Sequence, residues 1–161
     1  MIDLARGRIR LNVELKYNRD DPQLAAKVIE LLRSEGVLNQ CVITSLVHSA
    51  VRDAKRLAPE VRVGLIVTKS IGDPADIDAD FLSLNQNAVS AKLLARAHSH
   101  GKEIHVWTVN DRPAMERMVE MGVDNLITDY PAEATDLRRA RAALTAPEKL
   151  VLRFRMALLG H

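Results

Sequence analysis

Alternate positions of the run Ile9–Lys16 carry Asn12, Glu14 and Lys16. A strand's period of two puts these three on one face. A parallel sheet is covered on both sides, so a polar face is costly there unless it lines a site. Glu14 is therefore a candidate metal ligand or general base, and Lys16 a candidate anion-binding cation; the plainer alternative is an exposed edge strand with a Glu–Lys pair. In EIHVWTVN (103–110) the single tryptophan, Trp107, shares a face with His105 and Val109. It either walls a ligand pocket near the strand's end or fills core. Asp129 closes the run NLITDYP, where a carboxylate either orients a substrate or, the favoured reading, receives the N–H groups that open the next helix.

Other reactive side chains point away from chemistry. His98 and His100 stand two apart at a helix end, and such positions do not share a helix face, so they form no metal pair. His48 and His105 lack an evident partner in sequence and read as solvent-facing or core residues. Cys41 has no C-x-x-C partner and reads as buried and inert. No G-x-G-x-x-G, phosphate-loop, H-E-x-x-H or G-x-S-x-G pattern occurs.

The elements that must position these residues alternate. Strand-like runs cover Ile9–Lys16, Cys41–Leu46, Val61–Val67, Asp80–Leu84, Glu103–Val109 and Asp124–Thr128. Helical patterns cover Gln23–Ser34, Ser49–Leu57, Val89–His98, Pro113–Met121 and Ala132–Leu144. Thr68–Ala79 reads as a loop with room for one helical turn. Gly36, Gly101 and Gly122 stand where helices should stop, and Pro22, Pro113 and Pro131 near where they should start. Residues Ile2–Ala5 before Gly7 read either as the last turn of a helix or as a short disordered N-terminus. Strand starts recur about every 23 residues, the spacing of parallel strands joined by helical crossovers. Either an open doubly wound sheet or part of a (β/α)8 barrel fits. A complete barrel needs about 250 residues.

Composition narrows the class. The chain has 161 residues, 47% of them apolar, and a net charge of +2, too balanced to advertise nucleic acid as a partner. One cysteine excludes an internal disulfide. No signal-type segment or run apolar enough to span a bilayer is present, so this chain is expected to be cytoplasmic. Residues 136–161 carry six basic and two acidic side chains and form a basic helical tail on a mildly acidic body. The expected division is therefore 1–135 and 136–161. Packing on the domain is the plain reading of the tail, and binding to an anionic membrane surface is the alternative.

The segments LNVELK (11–16), ITSL (43–46), ADFLSLN (79–85), VWTVND (106–111) and GVDNLITDYP (122–131) together resemble the glycerophosphodiester phosphodiesterase family. The pair SL at 45–46 and ADFLSLN are most similar to bacterial members fused to an N-terminal membrane domain. The resemblance implies a (β/α)8 TIM-type barrel, here about six of its eight βα units. It implies hydrolysis of glycerophosphodiesters to an alcohol and glycerol 3-phosphate, with a divalent cation (Mg²⁺ or Ca²⁺) held by carboxylates and two histidines. On it, Glu14 matches a metal-binding glutamate, Lys16 a phosphate-side lysine and Trp107 a pocket aromatic.

The family's opening His-Arg-Gly, its E-x-D pair and its His-Asp precede the strand matched by 11–16 and have no counterpart here. The expectation is a truncated barrel with an incompletely coordinated cation, no catalytic histidine and no turnover on its own. Full-length relatives then place a membrane tether in the missing part, and the open sheet edges invite self-association. The alternative is a non-catalytic module that binds phosphate esters or assembles with a partner.

Overall fold

The structure is a computed structural model, and it describes residues 1–16, 23–68, 72–148 and 151. Six parallel strands form one sheet: β1 (Leu11–Glu14), β2 (Cys41–Ser45), β3 (Arg62–Val67), β4 (Phe81–Asn85), β5 (Glu103–Trp107) and β6 (Asn125–Leu126). The helices are α1 (Ile2–Ala5), α2 (Leu24–Ser34), α3 (His48–Leu57), α4 (Ala91–Ser99), α5 (Arg112–Met121) and α6 (Pro131–Ala143). Every strand and crossover helix expected from the hydrophobic period is present. The described part of the loop between β3 and β4 holds a 3-10 turn, Pro74–Asp76. Pro22 and most of the tail beyond 148 lie outside the described residues.

Strand order settles the architecture. The strands follow one another across the sheet as β1-β2-β3-β4-β5-β6, with no reversal. A doubly wound sheet must reverse at a switch point, whereas a barrel wall runs in sequence. The sheet curls as part of such a barrel, and β1 and β6 are its outer strands.

The register assigns the two faces. Glu14 pairs Thr44, Thr44 pairs Gly64, Gly64 pairs Phe81 and Phe81 pairs Glu103, so these residues share the concave face. The opposite face carries Ile43, Val63, Leu82, Leu84, Ile104 and Val106, all buried under the helices. Small residues bring the helices close: Ala50, Ala54 and Ala58 of the α3 segment and Ala97 of α4 are buried. Caps mark the ends. The Asp111 carboxylate accepts the Ala114 N–H at 2.9 Å to open α5, and Gly122 closes it at φ 89°, where glycine alone avoids a Cβ penalty.

The N-terminal end of the sheet is bolted by a repeated device. Asp80, just before β4, accepts the Val63 N–H at 2.7 Å and pairs with Lys55 of α3 at 2.9 Å. Asp124, just before β6, accepts the Ile104 N–H at 2.7 Å and pairs with His98 of α4 at 2.8 Å. Each carboxylate thus satisfies a strand-start donor of the preceding strand and holds the crossover helix. Gln40 does similar work for α1: its Oε1 accepts the Gly7 N–H at 2.9 Å, and its Nε2 donates to the Ala5 and Ile9 carbonyls.

Candidate functional site

The concave face divides into a filled floor and an open upper half. On the floor, the Phe81 ring lies over Gly64, where a Cβ would stand only 2.1 Å from the ring. Any side chain larger than hydrogen at 64 would displace that ring. Phe81 stacks on His105 with centroids 4.1 Å apart, and the Arg62 guanidinium lies 5.7 Å from the Phe81 centroid. Glu103 ties the group together, meeting Arg62 at 2.8 Å and His105 Nε2 at 3.1 Å.

Electrostatics follow the packing. Burial holds the His105 imidazole below its ordinary pKa, because desolvation disfavours its charged form. The Arg62 hydrogen bond holds the Glu103 carboxyl below the usual carboxylate range. His105 is thus a core residue, as its type and context suggested. Its partner was nonetheless within reach in the sequence, since Glu103 lies two residues away on the same strand face.

Above this floor, at the C-terminal ends of the strands, a cavity of about 370 Å³ opens. Glu14 of β1 and Trp107 of β5 both line it, although 93 residues separate them in sequence. Thr44, Thr68, Ser83 and Thr108 add hydroxyls to its wall. Asn12 also faces it and accepts the Thr44 hydroxyl at 3.0 Å. Trp107 Nε1 is buried with no hydrogen-bond partner among the described residues, a donor still to be satisfied. Lys16 is exposed just past β1 and does not line the cavity. The shared-face reading therefore holds for Asn12 and Glu14 within the cavity, while Lys16 stands outside it. The hydroxyl wall was not singled out in the sequence; for Thr44, Thr68 and Ser83 its signal was the strand parity that Glu14 sets and the register carries across, while Thr108 reaches the cavity from just past β5.

Asp129 does not cap the next helix. Tyr130 is the α6 N-cap, with no side-chain bond to the helix. The Asp129 carboxylate instead accepts the Asn110 amide at 2.7 Å, while Asn110 Oδ1 accepts the Asp129 N–H at 3.0 Å and the Thr128 hydroxyl at 3.2 Å. Asn110 offers donor and acceptor together, which outcompetes the helix for the carboxylate. VWTVND and GVDNLITDYP, the most specific sequence fragments, lock to each other here.

His98 and His100 part as expected. His98 pairs with Asp124, and His100 Nδ1 meets the Arg96 carbonyl at 2.9 Å. Cys41 is buried, and that burial raises its thiol pKa.

A hard divalent cation takes six or more oxygen ligands. Among the described residues no group of three His, Cys, Asp or Glu side chains converges, and Glu14 is the only carboxylate on the cavity wall. The described donors do not make a complete cation site. Nor does any helix of the described residues have the length and apolarity to cross a membrane.

Comparison with known proteins gives a consistent family. The model of the glycerophosphoryl diester phosphodiesterase family matches residues 9–133. A glycerophosphodiester phosphodiesterase of Caldanaerobacter subterraneus is 28% identical over 122 residues, covering 73% of this chain and 50% of the relative. The solved structure of a glycerophosphodiester phosphodiesterase from Parabacteroides distasonis superposes with a TM-score of 0.75 at 25% identity, over 84% of this chain and 60% of that one. A phosphodiesterase from Oleispira antarctica, solved with sn-glycerol 3-phosphate, superposes with a TM-score of 0.73 at 21% identity, over 81% of this chain and 55% of that one. The chain thus spans about half the length of these relatives.

Proposed function

From the premise that this chain belongs to the glycerophosphoryl diester phosphodiesterase family, we propose that the Glu14–Trp107 cavity is the substrate-holding part of a glycerophosphodiester phosphodiesterase site. The observation that carries this reading is the convergence of Glu14 and Trp107 on one cavity at the C-terminal ends of parallel strands. That is the end where barrel enzymes carry their chemistry.

In this reading the glycerol phosphate half of a diester occupies the cavity. The hydroxyls of Thr44, Ser83 and Thr108 suit the glycerol hydroxyls, and the Trp107 indole supplies an apolar wall and a free N–H donor. Lys16, exposed two residues past Glu14, offers a positive charge toward the phosphate from outside the cavity wall. Glu14 contributes one carboxylate toward a divalent cation. The described residues do not complete that cation's shell.

Hydrolysis adds water across a P–O bond and releases the alcohol and glycerol 3-phosphate. A proton must leave the attacking water and another must reach the departing alcohol oxygen. Among the described residues no histidine lines the cavity. These 161 residues by themselves are therefore proposed to bind the product half without turnover. The same incomplete set of groups favours a second reading, a module that binds phosphate esters without catalysis.

The test is release of glycerol 3-phosphate from a glycerophosphodiester by the purified, folded chain, with Mg²⁺ or Ca²⁺ and again with chelator. A folded, silent chain that still binds sn-glycerol 3-phosphate fits the proposal. Chelator-sensitive release abolished by Glu14→Ala would show instead that another group here handles the protons. Failure to bind sn-glycerol 3-phosphate at all would remove both readings.

A further inference from the structure

Trp107 and Thr108 form the β5 side of the Glu14–Trp107 cavity, one at the end of that strand and one just past it. The pair is fastened from two sides. On the β6 side the Ile127 N–H donates to the Val106 carbonyl at 2.8 Å, and the Val109 N–H donates to the Ile127 carbonyl at 3.0 Å. Ile127 therefore pins the residues before and after the pair. On the β4 side the main chain turns away: the Asn85 side chain accepts the Asn87 N–H at 3.0 Å and opens the 3-10 turn Gln86–Ala88. The Gln86 side chain reaches back from that turn, and its Nε2 donates to the Thr108 carbonyl at 3.1 Å.

The other atom of that amide has a different standing. Gln86 Oε1 is buried with no hydrogen-bond partner among the described residues. A buried acceptor without a partner costs folding free energy, and an apolar side chain of similar shape avoids the cost. The bond to Thr108 lies at the surface, where water can take over the carbonyl if the amide is removed. Stability alone thus gives little reason for an amide at 86. What the amide does that an apolar side chain of its size cannot is hold the Thr108 carbonyl, and with it the cavity wall, in one place.

We propose that Gln86 is a positioning residue for substrate binding: through the Thr108 carbonyl it sets the Trp107–Thr108 wall of the cavity. The inference rests on the reading that this cavity holds the glycerol phosphate half. Gln86 is not itself a lining residue, so its effect passes through the main chain of its neighbour. A wall that is already ordered spares the ligand the cost of ordering it, and that saving is read as affinity.

Trp107 is the chain's only tryptophan, so indole emission reports this wall alone. The test compares the purified 161-residue chain with Gln86→Met and Gln86→Glu, using sn-glycerol 3-phosphate as the probe with Mg²⁺ present throughout. Gln86→Met keeps the length of the side chain and removes the donor. It should keep or raise the urea midpoint, shift the ligand-free emission to the red, and weaken sn-glycerol 3-phosphate binding about fivefold, the equivalent of one neutral hydrogen bond. Gln86→Glu adds a pH signature, because its carboxylate cannot donate to the Thr108 carbonyl when ionised and can when protonated. Its emission should match that of Gln86→Met at neutral pH and return to the wild-type maximum in the carboxyl range, about pH 4–5. Gln86→Met should stay shifted from the wild type across the same range. Wild-type emission and affinity in Gln86→Met, a lowered urea midpoint with neither of them changed, or an emission of Gln86→Glu that ignores pH would overturn the positioning role while leaving the glycerol phosphate site in place. Absence of sn-glycerol 3-phosphate binding by the wild type would remove the underlying reading and this inference with it.

Discussion

At the N-terminal end of the sheet Asp80, Asp124 and Glu103 each hold a cation or imidazole, and Asp80 and Asp124 also satisfy a strand-start N–H. At the C-terminal end Glu14 and Lys16 are exposed, and the Trp107 N–H is buried without a partner among the described residues. The same six strands carry both ends, so the contrast lies in how side chains are used. Polar groups that are satisfied internally hold the fold and have nothing left to offer a ligand. Groups left unsatisfied contribute little to the fold and are free to bind.

The contrast predicts which substitutions unfold the chain and which only silence it. Phe81→Ala should have the largest effect, because it empties the filled floor beneath the cavity; a loss of about 3–5 kcal/mol is expected in urea unfolding. Gly64→Ala should follow at about 1–3 kcal/mol, since the new methyl must push the same ring aside. Were Gly64→Ala neutral, the floor would be looser than its stacking implies.

Asp80→Ala and Asp124→Ala should each cost about 1–3 kcal/mol by stranding a backbone N–H and a helix-borne partner. Similar losses from the two would establish them as one repeated device, whereas a loss from Asp80→Ala alone would break the parallel.

Acid should weaken the floor in a defined window. Burial lowers the His105 pKa in the folded state, so the unfolded chain takes up that proton first as pH falls. The stability from neutral His105 is present above its ordinary value of 6.5 and is lost as pH drops through and below it. Glu103, also lowered, adds a further loss below its ordinary 4.5. Thermal melts should show the upper slope, and His105→Phe should flatten it.

Glu14→Gln should change stability least, within about 0.5 kcal/mol, because the side chain is exposed and lies at the open end. It should nonetheless abolish any cation-dependent binding of sn-glycerol 3-phosphate, followed by NMR titration. A destabilisation as large as that of Asp80→Ala would erase the distinction between the two ends.

Much of this was legible from local pattern. The period of two in Leu11–Lys16 placed Asn12 and Glu14 on one face, and the glycine and proline punctuation bounded α5 and its neighbours closely. Both signals depend on residues two to four positions apart, which sequence displays directly. Asp129 misled because its type fits a helix cap equally well; Asn110, 19 residues earlier, claimed it instead. His105 misled more mildly, since Glu103 was close enough to find.

By itself the sequence determined the alternation of strands and helices, the polar face of β1 and the family resemblance. Only the tertiary structure decided that the strands run in unbroken order around a barrel wall, that Glu14 and Trp107 share a cavity, and that Phe81 fills the space Gly64 leaves. The period of a strand fixes which side of the sheet a residue faces. Which strand lies beside it depends on how the whole chain buries its apolar faces, and that long-range packing leaves no mark at a spacing of two or four residues.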